Sequence, residues 1–374
     1  MTNRAEVVVD LEAIAHNVAT LRKNSGTPLM AVVKADAYGH GLVPVALAAM
    51  NAGAQWLGVA LLEEALTLRE AGMSAPILSW LVPPGSDFQR AIQADIDLAV
   101  PSIGIFKEIQ RAATAIGKSA RIHIEVDTGM TRGGFLDEWD QFLELLSNGH
   151  KDVEIIGFFS HFARADEPGE IQNAQQLKRF FEMSDDLNRI GIEPNVHHLS
   201  NSAATIADAS AHFDVVRTGI AMYGLSPDVG NMGNSQSLGL KPAMTLRAKI
   251  HLVKKVMAGI PVGYGATQKT KADTRIGVIA MGYADGIPRV AHNAGVFVEG
   301  RRAPIIGRVS MDQFVVDLGA DSVSVAGDWV TVFGPGENGE YSADDWASAS
   351  STINYEIVTR IGPRVPRIYK LTTK

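Results

Sequence analysis

Cysteine is absent from the 374 residues. Its absence excludes disulfides, zinc–thiolate sites, iron–sulfur clusters and cysteine nucleophiles at once. Positive charge is in short supply too. Lys plus Arg number 34 against 41 Asp plus Glu, a formal net charge of −7. That balance argues against a nucleic-acid binder, because counterion release needs clustered positive charge. No apolar run approaches the ~20 residues that span a bilayer. Met1–Asp10 lacks the basic start and apolar core of a signal peptide. A cytoplasmic protein with no membrane or nucleic-acid partner is expected. The histidines His123, His161, His197 and His198 show no paired-ligand spacing, so no metal site is expected. Hydrophobic residues make up 46% and charged residues 20%, an ordinary globular composition. The length corresponds to roughly two to three domains.

Short β-rich runs recur through the first part of the chain: Leu29–Lys34, Trp56–Ala60, Pro76–Trp80, Leu98–Pro101, Arg121–Asp127, Val153–His161, Val196–Ser200 and Val215–Gly219. Stretches with helical spacing lie between them, among them Leu42–Met50, Leu62–Glu70, Ile103–Ile116 and Ile171–Ile190. This alternation implies parallel strands joined by crossover helices. Ile155-Ile156-Gly157-Phe158-Phe159 is continuously apolar, as a strand covered on both faces should be. About eight such units fit a closed (β/α)8 barrel of the TIM type. A doubly wound open sheet is the competitor, and periodicity alone does not separate them. Asp228–Leu240, rich in Gly, Asn and Ser, predicts a linker. Beyond it come evenly spaced strands with one helical candidate, Ala343–Ser351, which predicts an all-β domain. The expected division is 1–235 for the barrel and 236–374 for the β domain. The first strand segment remains free to pack with the latter.

Chemistry-bearing residues fall at the ends of the barrel strands, where active sites of this architecture form. Lys34 ends the first run, within Val32-Val33-Lys34-Ala35-Asp36-Ala37-Tyr38-Gly39-His40-Gly41, and Gly39–Gly41 is expected to open the next helix. A lysine desolvated there loses its proton and adds to a carbonyl. A solvated strand-end lysine is the commoner fate. His161, Ser202 and Arg217 likewise have bland explanations one by one, as a core histidine, a helix cap and a surface ion pair. Together Lys34, Arg132, His161, Asn201, Ser202 and Arg217 ring one rim, which chance explains poorly. Asn201-Ser202 opens a helix and Gly219-Ile220 follows the last strand. Barrel phosphate sites form there, at free backbone N–H groups. A phosphate beside a carbonyl-reactive lysine points to pyridoxal 5′-phosphate. The match of Gly334–Gly339 to G-x-G-x-x-G lies in the β half without a following crossover helix, and predicts a turn rather than a dinucleotide site.

On these residues the chain resembles the bacterial alanine racemases. The resemblance covers nearly its whole length and rests on Ala31–Gly41, Asp127–Met130 with Arg132, Ser160–Ala163, His198–Ala204, Arg217–Ile220, Gly263–Gly265, Gly282–Gly286, Gly307–Gln313 and Thr352–Glu356. It implies a pyridoxal-phosphate isomerase that interconverts L- and D-alanine by two-base proton transfer and supplies D-alanine for peptidoglycan. Lys34 would form the Schiff base and act as one acid/base. Tyr264, from the partner subunit of a head-to-tail homodimer with shared sites, would be the other. Arg217 would bond the pyridine nitrogen, and Tyr38, Asn201, Ser202, Gly219, Ile220 and Tyr355 would hold the phosphate end. Arg132 would contact the phenolic oxygen, with His161 beside the ring and Tyr264. Arg132, Met311 and Tyr283 are the implied substrate contacts. Tyr283, Arg289, Arg308 and Asp166 resemble the family's substrate corridor.

The resemblance has a physical logic. Racemisation removes a proton from one face of a carbon and returns it to the other, so two groups are needed. Free Lys and Tyr titrate near 10.4 and 10, and both must come down. Arg217, relayed through His161, is the expected source of positive potential at the tyrosine. Arginine keeps its proton, so the ring nitrogen stays unprotonated. A weakened electron sink is then expected to suppress transamination. Two departures stand out. Some relatives carry a carbamylated lysine where this chain has Glu125, and the Glu125 carboxylate is expected to orient Arg132 directly. Gln268 stands where relatives often have Tyr. The competing readings are a pyridoxal-phosphate decarboxylase of a basic amino acid, a racemase of broad specificity, and a non-catalytic carrier of the cofactor. The decarboxylases typically use a cysteine that this chain lacks, and the carriers resemble the barrel alone.

Overall fold

The structure, a computed structural model, describes residues 3–370. It divides into two compact units. One comprises the chain up to Ala13, Tyr38–Gly41 and the chain from Lys241 onward, and the other comprises Ile14–Ala37 and Leu42–Leu240. The first strand, β1 (Ala5–Asp10), belongs to the former.

The latter unit is the barrel. Its strands are β2 (Leu29–Val32), β3 (Trp56–Val59), β4 (Ile77–Ser79), β5 (Asp97–Val100), β6 (Ala120–Glu125), β7 (Val153–Phe159), β8 (Val196–His198) and β9 (Val216–Thr218). They form one parallel 8-stranded sheet in which β9 pairs with β2, so the sheet curls back on its own start. The tails of β8 and β9 meet through the Arg217 amide, which donates to the Ser200 carbonyl at 3.0 Å. The open-sheet alternative is thereby removed. Most residues of these strands are buried because helices cover the outside and side chains fill the inside. Met30, Leu78, Ala99, Phe159 and Val215 pack together in the interior. Outside, Phe135 stacks on Phe142 at 4.1 Å and Phe142 meets Phe106 edge-on. Burial of each such ring stabilises the fold by roughly 1.5–3 kcal/mol.

The C-terminal unit is built on β10 (Met244–Val256), β11 (Pro261–Val262), β12 (Gln268–Lys269), β13 (Thr274–Ile279), β14 (Gly295–Val298), β15 (Arg301–Pro304), β16 (Phe314–Asp317), β17 (Trp329–Phe333) and β18 (Arg367–Lys370). The main sheet runs β15-β14-β17-β10-β1-β18, and β13 bridges β10 to β16. β1 pairs antiparallel with β10 and parallel with β18. A second helix, Asn354–Thr359, follows Ala343–Ala349, so the domain is mostly rather than wholly β. Among the described residues no helix is long and apolar enough to cross a membrane.

One segment departs from local expectation. Residues 39–41 lead directly into a helix, but the chain between Lys34 and them first turns left-handed, with φ of 54°, 53°, 52° and 52° at Ala35, Asp36, Ala37 and Tyr38. Each such residue costs roughly 1–2 kcal/mol for an L-amino acid. Local bonds hold the turn. The Ala35 amide donates to Glu64 Oε1 at 2.6 Å, and the Leu42 amide donates to Asp36 Oδ1 at 2.8 Å. The helix proper is Leu42–Asn51.

Candidate active site

The C-terminal ends of the strands gather the expected residues of the barrel unit on one rim. Lys34 follows β2 and is partly buried, with its ammonium 5.8 Å from the Trp80 ring centroid. No hydrogen bond or ion pair of the Lys34 amine is present among the described residues. Burial lowers its pKa from 10.5, and Arg132 and Arg217 push the same way against the opposing charge of Glu64. The amine is thus primed to be a base. Gly58 leaves the space that Trp80 fills, since a Cβ there would lie 2.7 Å from the indole.

Arg217 is buried at the centre of β9. Its Nη1 donates to the His198 carbonyl at 2.8 Å and faces His198 Nδ1 at 3.0 Å. Its Nη2 donates to the carbonyls of Ser160 at 2.7 Å and Leu199 at 3.1 Å, and faces His161 Nδ1 at 3.2 Å. Phe159 lies against it, with the guanidinium carbon 5.6 Å from the ring centroid. Burial lowers its pKa to about 10, so it stays protonated at neutral pH. A guanidinium has no acceptor, so both imidazoles accept from it and are neutral at those nitrogens. Burial holds His161 and His198 well below the usual histidine range, with Arg217 reinforcing the shift in both.

Asn201 caps the helix Ser202–Ala207 through the Ala204 amide at 3.0 Å. Ser202 Oγ collects the amides of Gly219 at 2.9 Å and Ala221 at 3.3 Å, and Ile220 begins a short 3-10 turn. The second unit holds the remaining residues. Tyr38 and Tyr355 have ring centroids 6.2 Å apart, and burial pushes the Tyr38 phenol up. Tyr264, Tyr283 and Met311 are exposed, at 69%, 41% and 54%. Tyr283 and Ala284 donate their amides to the carbonyls of Ser310 and Met311, at 3.1 and 2.9 Å. Gln268 has a structural task, since its Oε1 accepts from the Gly307 amide at 2.8 Å. It ties the strand after Tyr264 to the Gly307–Gln313 loop.

The whole chain matches known proteins. The model for the N-terminal domain of alanine racemase matches residues 9–227, and that for the C-terminal domain matches 243–369. An alanine racemase of Salinispora arenicola is 50% identical over 371 residues, 98% of each chain. A crystal structure of alanine racemase from D-cycloserine-producing Streptomyces lavendulae superposes with a TM-score of 0.97 at 46% identity, covering 100% of this chain and 98% of that one. The alanine racemase of Bacillus anthracis with bound L-Ala-P gives 0.91 at 39%, covering 100% and 97%. This chain belongs to the alanine racemase family.

One expectation from the sequence is corrected. Glu125 does not clamp Arg132: among the described residues no hydrogen bond or ion pair joins them. Arg132 is exposed, whereas burial lifts the Glu125 carboxyl to about 7, against the opposing pull of Arg132 and Arg217. A carboxyl that resists ionisation is a weak anchor for a cation. Its folded pKa lies above the unfolded 4.5, so its contribution to stability is full below about 4.5 and is lost as pH rises to about 7. In cofactor-free protein, Glu125→Gln is therefore expected to gain stability relative to the parent between pH 4 and pH 8, by about 3 kcal/mol. Chemical denaturation of both proteins at the two pH values checks this, and parallel pH curves would refute it.

Gln176 escaped sequence reasoning altogether, because glutamine in a long helix carries no signal. It is 1% exposed, donates to the His161 carbonyl at 3.0 Å and accepts from the Ala163 amide at 2.9 Å, and so fixes the loop that carries His161 in this racemase barrel.

Proposed function

We propose that the protein interconverts L- and D-alanine with pyridoxal 5′-phosphate, in a homodimer whose subunits share active sites. The observation that carries this is the Lys34 amine at the barrel rim, against Trp80 and with no hydrogen bond or ion pair among the described residues, its pKa lowered by burial and by the field of Arg132 and Arg217. The residues present fit the cofactor. Arg217 spends both terminal nitrogens on protein, and among the described residues its Nε–H has no hydrogen-bond partner, which suits it to a ring nitrogen. Thr218 Oγ1, in the residue before Gly219, is buried without a hydrogen bond among the described residues. Ser202 Oγ accepts from the Gly219 and Ala221 amides, which leaves its own O–H proton to donate to a phosphate.

Bound pyridoxal phosphate supplies an aldehyde for amine capture and a conjugated ring that acidifies the α-carbon. The protein's residues do the rest. Lys34 Nζ holds the cofactor and moves the α-proton on one face. Tyr264 of the second copy moves it on the other, and its exposure in a single chain suits delivery to a partner. His161 accepts from Arg217 at Nδ1, so its Nε2–H remains to donate to the Tyr264 oxygen of the second copy. Tyr38 and Tyr355 serve the phosphate with Asn201, Ser202, Gly219 and Ile220. Arg132, Met311 and Tyr283 receive the substrate carboxylate and bound the entrance. Serine differs from alanine by one hydroxyl, which a small pocket rejects only weakly. The reaction takes place in the cytoplasm and feeds D-alanine to cell-wall synthesis.

Circular dichroism of L-alanine incubated with purified protein and pyridoxal phosphate tests the assignment. Decay of the signal to zero is expected, and Tyr264→Phe is expected to slow it by on the order of 100- to 10,000-fold while retaining cofactor. Optically pure alanine left untouched by the parent protein overturns the proposal.

A further inference from the structure

Behind Arg217 lies a row of buried ionisable groups that the reaction scheme does not use. His198 at the end of β8 and His123 at the centre of β6 are both 0% exposed, and Asp97 at the start of β5 is 1% exposed. His198 Nε2 lies 2.8 Å from His123 Nδ1, and His123 Nε2 lies 3.6 Å from Asp97 Oδ2. Arg121 closes the row, with Nε donating to Asp97 Oδ1 at 2.6 Å. The row thus crosses the barrel interior from the catalytic rim to the opposite ends of the strands, where Arg121 is 35% exposed.

Every proton in this row has one allowed place. Arg217 only donates, so His198 Nδ1 accepts and His198 carries its proton on Nε2. That proton points at His123 Nδ1, so His123 carries its own on Nε2, facing Asp97. The Asp97 carboxylate faces that N–H at 3.6 Å, beyond hydrogen-bond length, and accepts from Arg121; the nearby His123 and Arg121 outweigh the burial that opposes its charge. The row is built rather than incidental. A Cβ at Gly157 would sit 2.0 Å from His123 Nδ1, and the β6–β7 register shifts at His123. Phe159 stacks on His198 at 4.8 Å with planes 4° apart, and Trp56 meets His123 edge-on.

We propose that Asp97 is a positioning residue for the racemase: as terminal acceptor it fixes the tautomers of His123 and His198, and so holds Arg217 with Nε–H turned to the cofactor ring. The proposal rests on the role assigned above to Arg217. An amide at position 97 offers N–H₂ to His123 Nε2. If it does so, His123 takes its proton at Nδ1, His198 follows, and an N–H of His198 confronts an N–H of Arg217.

Nitrogen-15 spectra of the imidazoles in cofactor-free protein test this directly. In the parent, His123 and His198 are expected as neutral Nε2–H tautomers. In Asp97→Asn, Nδ1–H signals are expected, with kcat about tenfold lower or more and KM for alanine nearly unchanged, as for other groups that orient a functional side chain. Parent His198 found as Nδ1–H overturns the proposal even if the variant fails to fold. So does a folded variant with parental tautomers and parental kcat. Because the tautomers are read without cofactor, a parent lacking racemase activity would sink the functional assignment and leave the tautomer result standing.

Discussion

Lys34→Ala is expected to lower racemisation in both directions by on the order of 10,000-fold or more, because in the proposed scheme one substitution removes both the covalent tether and one of the two proton carriers. The fold should survive. The Lys34 amine has no hydrogen bond or ion pair to lose among the described residues, and the field of Arg132 and Arg217 disfavours its charge. The melting temperature of cofactor-free protein should therefore stay level or rise. The lowered pKa also sets a pH dependence. Capture of an aldehyde needs the neutral amine, so cofactor capture by the parent apoprotein should speed up with pH and level off below 10.5, the ordinary value for a lysine. Stopped-flow absorbance against pH follows this, and a plateau at or above the ordinary value contradicts the desolvated site. A small primary amine added to Lys34→Ala should restore part of the turnover. Retention of more than about one per cent of parental activity without added amine would show that position 34 is not the tether.

How much of this was legible in the sequence depends on the reach of the forces involved. The eight barrel strands announce themselves because burial on both faces demands unbroken apolar runs such as Ile155–Phe159. Lys34 and Arg217 could be placed because strand ends are where this architecture does chemistry. The left-handed turn at Ala35–Tyr38 could not. Alanine and aspartate favour other conformations, and what overrides them is the Glu64 carboxylate reaching the Ala35 amide from 29 positions away. β18 is silent in the sequence for a similar reason: Arg367–Lys370 alternates half-buried with exposed residues, and its partner is β1, at the other end of the chain. The row from Arg217 to Asp97 draws one residue from each of four strands. No spacing rule collects such a set, and only the curvature of the sheet brings it together.

The barrel's dependence on Arg217 gives the second large effect. In Arg217→Ala three buried carbonyls, of Ser160, His198 and Leu199, lose their charged donor together with two imidazole nitrogens. An unsatisfied buried acceptor costs about 1–3 kcal/mol, and relief from burying the cation offsets part of that. A net loss of about 3 kcal/mol is expected, or roughly 6–12 °C in melting temperature for a unit of this size. Arg217→Lys keeps the charge but concentrates three donors at one point, so it cannot serve two carbonyl directions and two imidazoles at once. It should recover about half of the lost stability and little of the turnover, since no N–H remains at the Nε position for the ring nitrogen. The ratio of transamination to racemisation should rise in the Lys variant, because an ammonium can yield its proton to that nitrogen where a guanidinium holds it. Thermal denaturation without cofactor separates the structural part from the chemical part. If Arg217→Lys were parental in both stability and product ratio, the five bonds drawn to the guanidinium would be dispensable, and its fork geometry could not be what orients the reaction.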